Sequence, residues 1–214
     1  MKPQPAKNTV SSYIIQAQEQ ELKRIALELH EGVGQTLYSL YTGMQLIETT
    51  VDQSMKGYME DMTQLMEKTI QEVRLLAVEL HPPTLTTLGL LSAMKTYLKL
   101  YTSTYGIEVE FNVSGDEVDL PEKERITLFR VCQEALNNIA MHADTTQASI
   151  TFAWKTEGLF ISIHDFGKGF EVETAMKQST GLASMIERMD LIGGSCSISS
   201  KVKDGTAIEF SLPL

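Results

Sequence analysis

The stretch Arg24-Ile25-Ala26-Leu27-Glu28-Leu29-His30-Glu31-Gly32-Val33-Gly34-Gln35 decides how the chain is read. It sets a histidine, a carboxylate directly after it and a glutamine five positions on inside a helical pattern. At about 100° per residue, His30 lies beside Leu29 of the apolar stripe but points outward, and Gly34 stands one turn later on the same face. The imidazole therefore has an open approach from solvent. Glu31 is a neighbouring acceptor that can hold one ring nitrogen as N–H and leave the other free as a nucleophile. Gln35 stands one turn beyond Glu31, on its face. A lone histidine on a helix is more often a solvated residue than a reactive one. Gly32 and Gly34, however, each cost about 1 kcal/mol in a helix interior, so helix stability alone does not recommend them.

Working outward, apolar residues run through Leu22, Ile25, Leu29, Val33, Leu37, Leu40, Met44, Ile47 and Val51. Their spacing is nearly heptad, but three successive steps of four place an irregularity of phase at His30. After a break near residues 52–57, a second stripe of Met55, Met59, Met62, Met66, Thr69, Val73, Leu76 and Leu80 keeps a strict heptad alternation. Two long amphipathic helices joined by a short turn predict an antiparallel hairpin whose widened apolar faces cannot all be covered within one chain. Two hairpins in a dimeric four-helix bundle cover them. The methionine row reads as adaptable core packing rather than a ligand site. Pro82 and Pro83 stop the second helix. Residues 1–10, with two prolines and no periodicity, read as a linker or tail with little order.

The 214 residues, 43% hydrophobic and 21% charged, suit one large or two small globular domains. A net charge of −10 argues against direct nucleic-acid binding, which needs a basic face for phosphates, so proteins or a metal-bound nucleotide are the expected partners. Cys132 and Cys196 have no metal-like spacing and suit a reducing compartment, buried and inert. With no apolar run long enough to span a bilayer and no signal-peptide pattern, the expectation is a soluble, cytoplasmic chain. That it is the cytosolic part of a longer membrane sensor stays open.

Beyond the prolines the pattern changes. Residues 88–104 read as a helix ended by Gly106, 107–113 as a strand and 122–143 as a helix. Residues 147–155 and 159–165 form a hairpin around Thr156-Glu157-Gly158. A short helix near 181–191, closed by Gly193-Gly194, precedes strands 195–200 and 206–212, which flank Lys203-Asp204-Gly205. This order predicts an α+β sandwich behind the helical hairpin.

Four pieces of that second part line up. Glu134 and Asn138 stand one turn apart on a helix face, an acid beside an amide oxygen that suits Mg²⁺. Asp165-Phe166-Gly167-Lys168-Gly169-Phe170 puts a carboxylate at a strand end before a flexible turn, placed to accept from an exocyclic amine. Gly181-Leu182 opens a helix whose N-terminal amides can face a phosphate. Gly205-Thr206 starts the last strand. Each is common alone, but their order and spacing resemble the N, G1, G2 and G3 boxes of the Bergerat or GHKL-type ATP-binding domain shared by histidine kinases, gyrase B, Hsp90 and MutL. The opening stretch, with L-A-V-E-L-H-P-P-T-L-T-T-L-G-L from Leu76 to Leu90, resembles the dimerisation and phosphotransfer domain of one group of sensor histidine kinases. These are the DesK-like and NarX-like kinases that signal to NarL-type response regulators.

The resemblance implies a dimerisation and histidine phosphotransfer domain over residues 11–83 and a catalytic ATP-binding domain over 84–214. It implies that His30 takes the γ-phosphoryl group of Mg-ATP, that an aspartate of a response regulator collects it, and that the kinase can also dephosphorylate that regulator. By the same resemblance His30 is the phosphoacceptor, Glu31 the acid that activates it, and Gln35 the glutamine that positions water during dephosphorylation. Asn138, with Glu134 beside it, would hold Mg²⁺, and Asp165 would recognise adenine. Gly167, Gly169, Gly181, Leu182 and Gly205 would shape the nucleotide pocket, with Thr206 near its adenine end. His142 fits the usual His-Ala pair of the N box; packing is its other reading, as for His81 and His164.

There are departures. Met141 stands where the family commonly has Arg or Lys, and Ser184 and Ile186 replace a usual Gly and Arg, so positive charge near the phosphates is reduced. They motivate an alternative, a dimeric, catalytically weak nucleotide-binding module that binds or sequesters a regulator. A gyrase-like ATPase is disfavoured by the phosphotransfer hairpin ahead of the pocket. Asp165-Phe166-Gly167 is not a protein-kinase D-F-G, because no H-R-D, glycine-rich nucleotide loop or A-P-E accompanies it. A Walker A motif is absent as well.

Overall fold

The computed structural model describes the backbone of residues 6–178 and 180–214, and the chain divides into two compact units between Pro83 and Thr84. In the first unit, α1 (Ala6–Leu27) passes through a π-helical turn (Glu28–Val33) into α2 (Gly34–Glu48), and α3 (Gln53–Leu80) returns antiparallel beside them. Helix α1 starts inside the stretch predicted as a tail, because no proline follows Pro5 to interrupt it. Residues 1–5 of that predicted tail lie outside the described residues. The predicted break is also narrower than expected, since Gly57 lies within α3 and the chain turns just before Asp52, whose ψ of 152° marks the helix start.

Burial shows which face each helix turns to the other. Along the first helical run the line Leu22, Ala26, Leu29, Gly34, Leu37, Tyr41, Met44 and Glu48 is withdrawn from solvent, with an interval of five across the π-turn and threes and fours elsewhere, and Glu19 and Ile25 are half-buried beside it. On α3 the line Met59, Thr63, Met66, Ile70, Val73, Ala77 and Leu80 keeps a strict heptad, and toward the C-terminal half Thr69, Gln71, Leu75, Val78 and Glu79 are withdrawn as well, Leu75 to 3% exposure. Part of each predicted stripe is not covered: Val33, Leu40 and Ile47 on the first run and Met55, Met62 and Leu76 on α3 remain exposed. Each helix thus carries one apolar line inside the hairpin and a second line outside it. Thr63 Oγ1 donates to Glu48 Oε2 at 3.3 Å between the two arms. Helix α3 stops where Pro82 forbids another turn: His81 is buried, and its N–H still reaches Ala77 O at 3.0 Å although its backbone has left the helix.

The second unit runs α4 (Pro83–Thr87), α5 (Gly89–Tyr105), β1 (Glu108–Ser114), α6 (Glu122–Asn138), a π-turn (Ile139–Ala143), β2 (Gln147–Lys155) and β3 (Gly158–Asp165). Then follow α7 (Val172–Gln178), α8 (Thr180–Asp190), β4 (Ser195–Ser200) and β5 (Thr206–Leu212). Helices α4 and α7 were not expected; at five and seven residues they are too short to show a period. The sheet order is β1-β2-β3-β5-β4, with β1 parallel to β2 and the other pairs antiparallel. Lys155 pairs with Gly158, so the β2–β3 hairpin closes on Thr156 and Glu157.

Period-two alternation sends Ile150, Phe152, Ile161, Ile163, Ile208 and Phe210 to one buried face of the sheet. The buried sides of α5, α6 and α8, among them Tyr97, Tyr101, Phe129, Leu136 and Met185, complete a two-layer α+β sandwich. Tyr101 satisfies its hydroxyl by donating to Leu136 O at 2.9 Å, and burial raises its phenol above the ordinary range. The mouth of the site lies where this core reaches the C-terminal end of β3.

Candidate functional site

The alternation that buries Ile161 and Ile163 also carries Asp165 to the inward face, where it is 3% exposed. A buried carboxylate needs partners, and its Oδ1 accepts the Gly167 N–H at 2.9 Å. The loop that follows is pinned by its backbone. Lys168 N–H donates to Ala143 O at 2.7 Å, Phe170 N–H donates to Ser200 Oγ at 2.9 Å, and Ser200 Oγ donates to Gly205 O at 2.8 Å. Such close approaches leave no room for side chains. A Cβ on Gly167 would overlap the Ala143 carbonyl, and one on Gly205, which sits at φ +74°, would overlap the carbonyl of Asp165.

Between this loop, α6 with its π-turn, and the sheet lies a pocket of about 490 Å³, within the range of small-molecule sites. Asn138, His142, Asp165, Gly169, Leu182 and Thr206 line it, six of the predicted residues drawn from four separate segments. His142 is exposed, so of its two readings the pocket wall fits and core packing does not. Gly167 and Gly205 stand behind the wall and set the path of the loop. Glu134 differs from expectation: its carboxylate fills the space that a side chain on Gly181 would need, tying α6 to the first turn of α8, and it is not among the lining residues. The cause is its place one turn before Asn138, where α8 packs against α6.

Asn138 Nδ2 is buried without a hydrogen-bond partner among the described residues. Such an orphan costs about 1–3 kcal/mol, which an oxygen-rich ligand offsets. The described residues contain no group of three or more His, Cys, Asp and Glu placed to hold a metal. Because Mg²⁺ in nucleotide sites keeps waters and takes most of its ligands from the phosphates, Asn138 at the pocket wall is the residue that would hold it, through its carboxamide oxygen.

Lys168 also lines the pocket, a cation that sequence pattern marks only as the residue between two loop glycines. The apolar floor is formed by Ile139, Ile163 and Ile208, none of which the sequence pattern marks as pocket. Met141 is 71% exposed and does not line it. Ser184 Oγ accepts from Arg188 Nε at 3.4 Å along α8. His164 stacks edge-on against Phe166, ring centroids 4.6 Å apart, which agrees with a packing role.

The hairpin unit holds a second concavity. His30 is exposed and lines a groove of about 430 Å³ with Gly34, Gln35, Tyr38, Val73 and Arg74. Glu31 is exposed but is not among the lining residues. The phase irregularity expected at His30 is the π-turn, in which Gly34 N–H bonds Leu29 O five residues back. A Cβ on Gly34 would lie 3.2 Å from that oxygen, whereas one on Gly32 would meet nothing within 4 Å. Turns of this kind concentrate at functional sites. Arg74, on the facing helix, belongs to the groove and was not marked by any sequence pattern.

Residues 21–85 match the family model described as histidine kinase, and residues 123–214 match the one described as histidine kinase-, DNA gyrase B-, and HSP90-like ATPase. The chain is 32% identical over 206 residues to the signal transduction histidine-protein kinase/phosphatase DegS of Brevibacillus brevis, covering 94% of this chain and 53% of that protein. It is 30% identical over 202 residues to the oxygen sensor histidine kinase NreB of Staphylococcus carnosus (strain TM300), covering 94% of this chain and 58% of that protein. The chain thus spans little more than half the length of these relatives. The histidine kinase domain from the Erythrobacter litoralis EL346 blue-light activated histidine kinase shares the fold, with a TM-score of 0.51 over 84% of this chain and 94% of that one at 14% identity.

Proposed function

This chain belongs to the sensor histidine kinases of the NarL-associated subfamily, and from that membership we propose that it is the catalytic core of a cytoplasmic two-component kinase. Residues 11–83 form the dimerisation and phosphotransfer domain and residues 84–214 the ATP-binding domain. The observation that carries this reading is the presence, on one chain, of an exposed His30 in its own groove and a pocket that brings Asn138 and Asp165 together.

In the proposed reaction an unprotonated ring nitrogen of His30 attacks the γ-phosphorus of ATP. The N–P bond forms as the bond to the bridging oxygen breaks, and ADP leaves with that electron pair. Glu31 fixes the tautomer by accepting from the other ring N–H, and its carboxylate takes that proton as the imidazole becomes cationic. Asp165 accepts from the adenine amine, Asn138 contributes its carboxamide oxygen to Mg²⁺, and the isoleucine floor keeps water from the base. Mg²⁺, when bound, neutralises phosphate charge, and positioning supplies most of the remaining catalysis. The phosphoryl group passes to an aspartate of a NarL-type response regulator. Gln35, able to donate and accept at once, directs water at the regulator's aspartyl phosphate in the reverse sense. The kinase/phosphatase name of the Brevibacillus relative supports this double activity. The exposed lines through Leu40 and Leu76 supply the face for a second copy of the chain. No described helix is long and apolar enough to cross a membrane.

A second reading, a dimeric module that binds the regulator and uses ATP weakly, is favoured by Met141 and Ser184. Calorimetric titration with Mg-ATP separates the two. The kinase reading predicts binding that Asn138→Ala abolishes, and weakening of ATP, ADP and adenosine alike by Asp165→Ala. Unchanged affinity in both variants removes the pocket assignment, and absence of binding by the unaltered chain favours the module.

A further inference from the structure

We propose that the π-helical turn closed by Gly34 is what sets Gln35 beside His30, which makes Gly34 the positioning residue for the water-directing glutamine. This deepens the proposed function and rests on it for the role of Gln35, but not for the geometry. In an α-helix, a residue five positions on is rotated by about 140° and lies on a different side, whereas the fourth stays on the face. Regular helix geometry would therefore align Gln35 with Glu31 and only Gly34 with His30. The structure shows His30 and Gln35 lining one groove, with Glu31 outside it. The five-residue interval from Leu29 to Gly34 supplies the missing rotation. The bond that closes it runs from Gly34 N–H to Leu29 O.

Position 34 is also where a side chain would press on this arrangement. A Cβ there stands 3.2 Å from Leu29 O, the acceptor of the wide turn, while position 32 is open on all sides. Alanine at 34 crowds the wide turn and favours the ordinary helix. The extra residue then has to be absorbed elsewhere along the run, and Gln35 leaves the groove. Alanine at 32 has the same helix-promoting effect without the crowding. The two glycines, alike in sequence, are thus given different roles.

The test compares Gly34→Ala, Gly32→Ala and Gln35→Ala in the whole chain. Gly34→Ala is expected to slow dephosphorylation of the phosphorylated regulator by about tenfold or more at unchanged regulator KM, as Gln35→Ala does. Gly32→Ala is expected to match the unaltered chain in that reaction. Equal loss in Gly32→Ala, or full dephosphorylation by Gly34→Ala, overturns the proposal. A readout independent of activity uses Gln35→His. Two imidazoles on one helix face chelate Ni²⁺, and among the described residues no ready metal cluster competes. Gln35→His is expected to tighten Ni²⁺ binding by about tenfold, with the gain lost when Gly34→Ala is added. No gain, or a gain that survives Gly34→Ala, overturns the geometry. If the unaltered chain has no phosphatase activity, the Ni²⁺ result still decides the positioning, and only the role of Gln35 fails.

Discussion

Glu31 and Gln35 are one helical turn apart in sequence, yet they stand differently toward His30: Gln35 shares its groove and Glu31 lies outside. That separation suits two half-reactions. Fixing the imidazole tautomer and accepting its proton is a carboxylate's task as general base, whereas holding a water in line needs a neutral group that donates and accepts. Glu31→Ala is therefore expected to slow autophosphorylation by about 10²-fold, the usual scale for losing a general base. Gln35→Ala is expected to leave autophosphorylation intact and remove regulator dephosphorylation. Timed assays of both half-reactions check this, and a Gln35→Ala protein that dephosphorylates at the unaltered rate contradicts it. At this scale the sequence pointed to residues that the fold sets at a concavity, as for His30 and Asp165. It was silent on Lys168 and Arg74, because a lysine between loop glycines and an arginine on a solvated helix face have no pattern until the fold brings them to a wall. Glu134 keeps its spacing from Asn138 while its carboxylate turns to Gly181.

Among the elements, the two long helical stripes, the five strands and the helices of the sandwich were legible, since each has enough residues for its period to emerge. The short α4 and α7 were not, and the tail that proline content suggested is partly α1. The stripe phase was right in period and divided in use. Leu37, Met44, Met59 and Met66 face the hairpin interior, whereas Leu40, 53% exposed, and Leu76, 46% exposed, face out. Such a line of large apolar side chains left in water is a face that a second hairpin with the same heptad would cover. Leu40→Glu with Leu76→Glu is expected to yield folded monomers, because paired burial of unpartnered carboxylates costs several kcal/mol per site. Light scattering with circular dichroism checks it; a double variant that remains dimeric places the interface elsewhere.

On the scale of the whole molecule, the hairpin unit carries His30, the proposed acceptor, and the sandwich unit the proposed nucleotide pocket, a division read from the prolines at 82 and 83 and from the change of period beyond them. The net charge of −10 is compatible with the proposed anionic substrate, since Lys168 stands at the pocket wall and Asn138 with a divalent ion would meet the phosphates. What composition could not disclose is that the phase irregularity in the first helix and the glycine beside it are one feature, the π-turn, because a single extra residue is invisible until the interval of burial is known. The central claim is that Mg-ATP phosphorylates His30. Incubating the chain with γ-labelled ATP and Mg²⁺, then treating it with acid and with base, tests it directly. The account predicts a label that survives base, is lost in acid and is absent from His30→Gln; an acid-stable label, or one that persists in His30→Gln, contradicts it.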